Sequence, residues 1–149
     1  MKQFVIFDID GTIADCSHRV HHANAKEWEE FHLLCDEDPV IVPVADLLVA
    51  LSASATILLL TGRPERYRYK TQQWLKKSGL DMYYAELIMR EDDNFMKDGQ
   101  MKLVALETRF GDYEGVMDNV WFVVDDRDTV VEALRNYGLT VLQPAVGGY

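Results

Sequence analysis

The chain has 149 residues, of which 48% are hydrophobic, and its 25 acidic and 15 basic side chains give a net charge of −10. This length suits a single core, so we predict one domain over residues 1–149. A surface of this sign repels polyanions at long range, which argues against extended nucleic-acid binding.

Nothing in the sequence indicates a membrane protein. No stretch approaches the roughly 20 apolar residues of a membrane span, and the first predicted strand begins by Phe4, which leaves no room for a signal peptide. Cys16 and Cys35 fit no metal-ligand spacing, so we expect two free thiols. These features predict a cytoplasmic protein without membrane association, and they leave its oligomeric state open.

Strands and helices alternate along the chain. Asn24 and Glu27 form a capping-box-like start for a helix that ends near Cys35, and Pro43 and Pro64 suit the first turns of the next two helices. The predicted strands are 3–8, 55–60, 85–89, 120–125 and 139–143, and the predicted helices are 25–35, 43–54, 64–78, 98–110 and 126–137. This alternation predicts an α/β fold in three layers, with a parallel five-stranded, Rossmann-like sheet between helices.

The first strand ends in an unusual acidic sequence. Residues 4–7 are apolar and run directly into Asp8-Ile9-Asp10-Gly11-Thr12. Because side chains alternate along a strand, Asp8 and Asp10 start on the same side and can converge where the strand ends. Gly11 permits a sharp turn, and the Thr12 hydroxyl can stabilise it. Two carboxylates this close repel each other, and a divalent cation is the usual remedy.

Two later apolar runs also end in polar residues. The first run, residues 57–60, is followed by Thr61, Gly62 and Arg63. The second run, residues 120–124, is followed by Asp125 and Asp126. Ligands of an open α/β sheet bind at the carboxyl ends of its strands, so we expect these side chains to meet there. Lys97 and Lys102 lie between the two sites.

In this order the acidic pair, Thr-Gly, lysine and second acidic pair resemble the four motifs of the haloacid-dehalogenase-like (HAD-like) phosphohydrolases. The resemblance implies strand order 5-4-1-2-3. Asp8 would attack phosphorus and form an aspartyl-phosphate. Asp10 would protonate the leaving oxygen and later take a proton from water, so we expect it to be partly protonated at rest, through burial and neighbouring carboxylates. Thr61 with the N–H after it, and a lysine, would hold phosphoryl oxygens.

Magnesium is the expected cofactor. A hard, oxygen-liganded Mg²⁺ would lie between Asp8, the pair Asp125-Asp126, and the backbone carbonyl of Ile9 or Asp10. The resemblance points to the carbonyl of Asp10. The acidic pair is also typical of a helix N-cap, an interpretation that is compatible with metal binding.

A closer resemblance is to the 3′-phosphatase domain of phage-type polynucleotide kinases, from about Phe4 to the C-terminus. The segments that carry it are 15–19, 61–63, Trp74, 89–90, 125–131 and 143–149. In that pattern the motif lysine lies inside a helix, five residues after an earlier lysine, which favours Lys102 over Lys97. The segment 19–42 is longer than in that domain, and Gly148 stands where an acidic residue is expected.

This second resemblance also implies how substrate is held. Arg19 would bind the phosphate with two hydrogen bonds, and the candidate substrate-binding residues are Thr12, His18, Arg19, Gly62 and Arg63. The implied substrate is a 3′-phosphorylated nucleic-acid end. No Gly-x4-Gly-Lys-Ser/Thr loop occurs, so we expect no kinase activity of that type.

Three other functions stay open, and the first is a phosphotransferase that uses the same aspartyl-phosphate intermediate. The acidic surface favours a 5′- or 3′-deoxyribonucleotide monophosphatase, whose substrate carries a single phosphate. An inactive regulatory or partner domain would keep the same fold, although the complete set of motif residues argues against it.

Residues 17–42 are the segment available to form a very small helical cap over the site. Its one predicted helix places Trp28, Phe31 and Leu34 on one stripe, which we predict to pack in the core, with stacking against a ligand as the alternative. A cap this small would leave the site open, as suits a phosphate at the end of a larger molecule.

Overall fold

The structure is a computed structural model and describes residues 2–149. The strands are β1 (Phe4–Phe7), β2 (Thr56–Pro64), β3 (Glu86–Arg90), β4 (Val120–Val124) and β5 (Val141–Leu142). They form one parallel sheet in the order β3-β2-β1-β4-β5, which is the predicted order read from the opposite edge. The predicted α/β fold is therefore confirmed.

Helices cover both faces of the sheet. The helices are α1 (Val20–Asn24), α2 (Trp28–Leu33), α3 (Val42–Leu51), α4 (Arg68–Lys77), α5 (Asp98–Phe110), α6 (Tyr113–Asn119) and α7 (Asp128–Tyr137). Because strand side chains alternate, Val5 and Phe7 join a core beneath α3 and α4, whereas Ile6 joins a second core beneath α5, α6 and α7. The central strand β1 is thus apolar on both faces and places its carboxyl end in the middle of the sheet.

The end of one predicted strand and the start of the helix after it differ from the structure, and one helix was not predicted. Strand β2 continues through the Thr-Gly motif to Pro64, and α4 begins at Arg68 after a 3₁₀ turn over Glu65–Tyr67. Pro64 therefore ends a strand and does not start a helix. Helix α6 was not predicted, although Asp112 caps it by accepting a hydrogen bond from the Gly115 N–H at 2.8 Å.

The cap prediction was wrong in one respect: residues 25–35 do not form one helix. They are divided between α1 and α2, because Lys26 adopts a φ of 60°, which breaks the helix. Asn24 is consequently the last residue of α1 and no N-cap. Helix α2 is fixed to α4, since Lys70 Nζ donates to the Leu33 carbonyl at 2.7 Å.

The predicted apolar stripe of the cap is also only partly buried. Phe31 is buried, as expected, but Trp28 is 42% exposed and does not pack in the core. The boundary of the cap at residues 17–42 stays a prediction.

The two cysteines are free, as predicted, and the structure shows that both are buried. Burial raises the pKa of the Cys16 thiol to about 12. Within residues 2–149, no helix has the combination of length and apolar composition that a bilayer crossing requires.

Candidate active site

Three buried carboxylates meet at the carboxyl ends of β1 and β4. Asp8, Asp125 and Asp126 each offer one oxygen, and these oxygens lie within 4.8 Å of one another. The neighbours β1 and β4 are parallel, so their carboxyl ends coincide and bring together residues more than 100 positions apart. Closely spaced, buried oxygen ligands fit the preference of Mg²⁺ for hard donors.

The charge of Lys102 lies among these carboxylates. Its Nζ is buried, 2.8 Å from Asp8 Oδ1 and 2.6 Å from Asp125 Oδ2. Burial alone would lower the pKa of Lys102, but the charges of Asp125 and Asp8 outweigh it and raise that pKa. The lysine is therefore a fixed cation at the candidate nucleophile. The alternative lysine, Lys97, is exposed at the start of α5.

The acidic cluster has more negative charge than one lysine neutralises. Burial, followed by the charge of Asp125, raises the pKa of Asp8 well above its ordinary value. The same two causes raise the pKa of Asp126. A divalent cation among these oxygens would remove this repulsion, so the residues fit the predicted metal.

Asp10 lies in an environment of the opposite sign. Arg63 donates to its carboxylate from Nε at 3.1 and 3.2 Å and from Nη2 at 2.6 Å, and Arg19 Nη2 donates to it at 2.5 Å. Burial would raise the pKa of Asp10, but the two guanidinium groups outweigh it and lower that pKa. The expectation that burial and neighbouring carboxylates leave Asp10 partly protonated at rest was therefore wrong.

Asp38 is a site residue that the sequence analysis missed. Its buried carboxylate accepts from Arg19 Nε at 2.8 Å and Nη2 at 2.5 Å, and it lies 2.7 Å from His18 Nε2. The Trp74 indole N–H donates to its backbone carbonyl at 2.7 Å, which fixes Asp38 against α4. An Asp-Pro pair at the end of the cap gave no sequence signal for this role.

The two predicted substrate-binding arginines are held by protein acceptors. Arg19 and Arg63 have no exposed surface, and neither lines the cavity described below. Arg19 also donates to the Phe31 carbonyl at 3.0 Å, and Arg63 Nη1 donates to Thr71 Oγ1 at 3.1 Å. Arg19 and Arg63 thus both contact Asp10, and His18 lies beside them in contact with Asp38.

The Thr-Gly motif lies at the end of β2. Thr61 is buried, and its Oγ1 accepts a hydrogen bond from the Arg63 N–H at 3.1 Å, which leaves the hydroxyl proton free to donate. Gly62 lines the cavity, and Arg90 Nε donates to its carbonyl at 3.2 Å. Asp98, which was not predicted, forms ion pairs with Arg90 and Arg127 behind this motif.

The turn after β1 and the last residue of the chain complete the acidic site. Thr12 Oγ1 lies 3.3 Å from Asp8 Oδ2 and 3.2 Å from Asp126 Oδ1, so its hydroxyl can donate to either. The Tyr149 hydroxyl lies 3.1 Å from the Asp10 carbonyl and 3.2 Å from Asp126 Oδ2. Gly11, at φ 79°, is required here, because a Cβ would lie 2.2 Å from Asp126 Oδ2.

A cavity of about 870 Å³ opens from these residues toward α2. Asp8, Asp10 and Lys102 are among the residues at its catalytic end, and Trp28 is part of its wall. This volume exceeds what one phosphate group fills and lies in the range of sites for small organic ligands.

Comparison with known proteins identifies the family. A model of the polynucleotide kinase PNKP phosphatase domain matches residues 2–149. The chain belongs to the PNKP phosphatase-domain family. Its match covers the four motifs, the two buried arginines and Tyr149, so the resemblance seen in the sequence is confirmed.

Solved structures agree with this assignment. Chains in two structures of the Pnkp1/Rnl/Hen1 RNA repair complex are 29% and 28% identical in sequence to this chain, with TM-scores of 0.80 and 0.79. They cover all of this chain, which spans only 44% and 48% of their length. A haloacid-dehalogenase-like hydrolase from Streptococcus pneumoniae shares the fold at 14% identity, with a TM-score of 0.65 over 95% of this chain and 84% of its own.

Family and geometry together identify the PNKP-type domain as a HAD-like phosphatase. The four motifs converge on one cavity, and Asp8 and Lys102 lie together at its catalytic end.

Proposed function

We propose that this PNKP-type domain is a Mg²⁺-dependent phosphomonoesterase that removes the 3′-phosphate from nucleic-acid ends through an aspartyl-phosphate. The observation that carries the proposal is the pairing of two opposite environments at the end of β1. Asp8 lies among carboxylates and a lysine, whereas Asp10, two residues later, lies between two buried arginines.

In the first step an Asp8 oxygen attacks phosphorus, and the bond from phosphorus to the leaving oxygen breaks as Asp10 gives that oxygen a proton. In the second step Asp10 takes a proton from water, whose oxygen attacks the aspartyl-phosphate and releases inorganic phosphate and Asp8. In the free protein Arg63 and Arg19 lower the pKa of Asp10, which favours the carboxylate that accepts a proton in the second step. The negative phosphate group of a bound substrate opposes the two arginines and raises the pKa of Asp10 for the first step.

The other site residues bind and orient the phosphate. Lys102 neutralises charge on the phosphoryl oxygens, and Thr61 with the Gly62 N–H holds another of these oxygens. Asp8, Asp125, Asp126 and the Asp10 carbonyl would hold Mg²⁺, with Lys102 beside Asp8 and Asp125. When bound, the metal would offset the repulsion between the phosphate group and the carboxylates.

The substrate assignment is supported by the family and by the size of the cavity. The similar structures are of RNA repair complexes, and a cavity of about 870 Å³ accommodates more than a phosphate. This chain contains no phosphate-binding loop of the kinase type, so we also propose that it carries phosphatase without kinase activity.

A comparative assay tests the proposal. We expect phosphate release from a 3′-phosphorylated oligonucleotide with Mg²⁺, its loss in EDTA, and its recovery when Mg²⁺ is restored. Asp8→Asn should abolish turnover in a folded protein, because it removes the nucleophile and conserves the shape of the side chain. Asp46→Asn, at an exposed carboxylate of α3 that does not line the cavity, is the matched control. Full activity of Asp8→Asn would contradict the covalent mechanism.

A mononucleotide phosphatase is the second candidate, because the net charge of −10 disfavours long polyanions. The same assay with 3′- and 5′-mononucleotides separates the two functions. Much faster turnover of a mononucleotide than of any oligonucleotide would establish this alternative, and absence of turnover on all three would support an inactive partner domain.

A further inference from the structure

Trp28, like Phe95, is an exposed aromatic residue that lines the cavity, and its ring packs against two other aromatic rings. It begins α2 and is 42% exposed, yet it lies in the wall of the catalytic cavity. Phe31 and His32 support its ring from the protein side. The Trp28 and Phe31 rings meet edge to face with centroids 5.9 Å apart, and the Trp28 and His32 rings lie within 26° of parallel at 6.4 Å.

This support makes the tryptophan a fixed surface. Phe31 and His32 are buried, and His32 lies 5.5 Å from Tyr67, centroid to centroid. The Tyr67 hydroxyl in turn donates to Glu29 of α2 at 2.7 Å. Aromatic surface that is exposed but held rigid loses little entropy when a flat ligand stacks on it.

The surrounding charges indicate what kind of flat ligand would bind. Lys26 and Lys97 line the same cavity, and neither has an ion-pair partner within residues 2–149. The catalytic end of the cavity takes a phosphate group. A ligand that carries a planar ring and several phosphates, with one phosphate at Asp8, matches these features, and a nucleotide has this chemistry.

We propose that Trp28 is the stacking surface for the nucleobase of the substrate's 3′-terminal nucleotide. This inference rests on the proposed function and adds a specificity-determining residue to it. The base lies against the exposed part of the indole ring while the 3′-phosphate is at Asp8, and Lys26 and Lys97 attract the phosphates that precede it. Stacking is tolerant of base identity, because every base has a π face.

The test compares two substrates and a set of variants. The substrates are a short 3′-phosphorylated oligonucleotide and the same oligonucleotide with an abasic 3′-terminal sugar phosphate. For Trp28→Ala we expect KM for the normal substrate to rise roughly tenfold or more, with kcat little changed. Trp28→Phe should keep most of the affinity, and Trp28→Leu should not, because it keeps apolar volume without a ring. Trp121→Ala is the matched control, since Trp121 is 47% exposed but does not line the cavity.

The abasic substrate provides a measurement that needs no variant. The unaltered protein should bind it as poorly as Trp28→Ala binds the normal substrate, and Trp28→Ala should lose nothing further on it. Equal KM for the two substrates in the unaltered protein would overturn the stacking role while leaving 3′-phosphatase activity established. Hydrolysis of glycerol phosphate without hydrolysis of any oligonucleotide would instead contradict the proposed function, and the inference with it.

Discussion

The two buried arginines give Asp10 positively charged surroundings, whereas Asp8 lies among carboxylates. The Arg19 guanidinium donates to Asp10, to Asp38 and to the Phe31 carbonyl, and it also lies 4.2 Å from the centroid of the Phe31 ring. A lysine at this position has one nitrogen and cannot make these contacts together. The role of Arg19 in this arrangement is to position Asp10, so its loss should affect turnover more than binding.

For Arg19→Lys we therefore expect kcat to fall on the order of tenfold or more, with KM little changed, because Asp10 loses part of its fixed orientation. Steady-state kinetics on a 3′-phosphorylated oligonucleotide measure both constants. Arg66→Ala is the control: Arg66 lines the outer cavity and pairs with Glu29 at 2.8 Å, so its loss should raise KM and spare kcat. Wild-type kcat in Arg19→Lys would contradict the positioning role.

Lys102 and Lys97 differ in burial and in partners, so their substitution should have different effects. Lys102→Ala removes the only cation within hydrogen-bond distance of Asp8 among the described residues. We expect kcat to fall about a hundredfold or more, as for loss of one charged donor in a catalytic site. Lys97→Ala should keep kcat, because Lys97 is exposed. Circular dichroism would show that both variants are folded, and the reverse ranking of kcat would assign the catalytic role to Lys97.

At the scale of single residues, strand ends identified the acidic side chains, the family resemblance added Lys102 and Arg19, and Asp38 and Tyr149 were missed. Asp8 and Asp125 could be predicted because each directly follows a buried strand. Asp38 and Tyr149 could not, because neither follows a predicted strand and both reach the site only through tertiary packing. The charge state of Asp10 depends on that packing too, which is why its predicted protonation was wrong.

At the scale of elements, the short helix α2 contains a group that should make stability depend on pH. His32 is buried, and its Nδ1 has no hydrogen-bond partner among the described residues. Burial is the main reason that its pKa is lowered from 6.5 to about 4; Asp10 opposes this shift, and Arg63 and Arg19 add to it. Between these values the unfolded chain binds more protons than the folded one, so stability falls as pH falls.

We expect this group to cost the folded state about 2 kcal/mol between pH 7 and pH 5. His32→Phe keeps an aromatic ring and removes the titration, so its free energy of unfolding should fall less over this range. Urea denaturation at both pH values measures the difference, with His21→Gln as an exposed control. The same loss of stability in His32→Phe and in the unaltered protein would show that His32 is not the group responsible.

Elements built on strong periodic patterns were predicted, and those set by local conformation were not. The alternation of apolar strands with helices along the chain predicted the α/β fold and its parallel sheet. Helix α5 begins at Asp98 and ends just before Gly111, as predicted. The break at Lys26 was missed because a lysine gives no signal for a positive φ. Strand β2 extends past its apolar run because Pro64 still pairs with Arg90 of β3, a contact that depends on the neighbouring strand.

At the scale of the whole molecule, the distribution of charge favours binding of the end of a nucleic acid over binding along the length of its strand. The net charge is −10, yet Lys26 and Lys97, which have no ion-pair partner among residues 2–149, lie at the cavity. Most of the surface therefore repels a nucleic acid, while under the proposed function these two lysines would attract its terminal phosphates. Affinity should consequently be determined by the last few nucleotides.

We predict a shallow dependence of KM on salt. Neutralising two phosphates of a single strand gives a slope of roughly −1.4 in a plot of log affinity against log salt, since each contributes about −0.7. KM should also be the same for 3′-phosphorylated strands of four and twenty nucleotides at fixed salt. Replacing both Lys26 and Lys97 by glutamine should flatten the slope toward zero, whereas Lys2→Gln, a change outside the cavity lining, should leave it unchanged. A steep slope, or affinity that grows with strand length, would mean that this acidic domain binds nucleic acid along an extended surface.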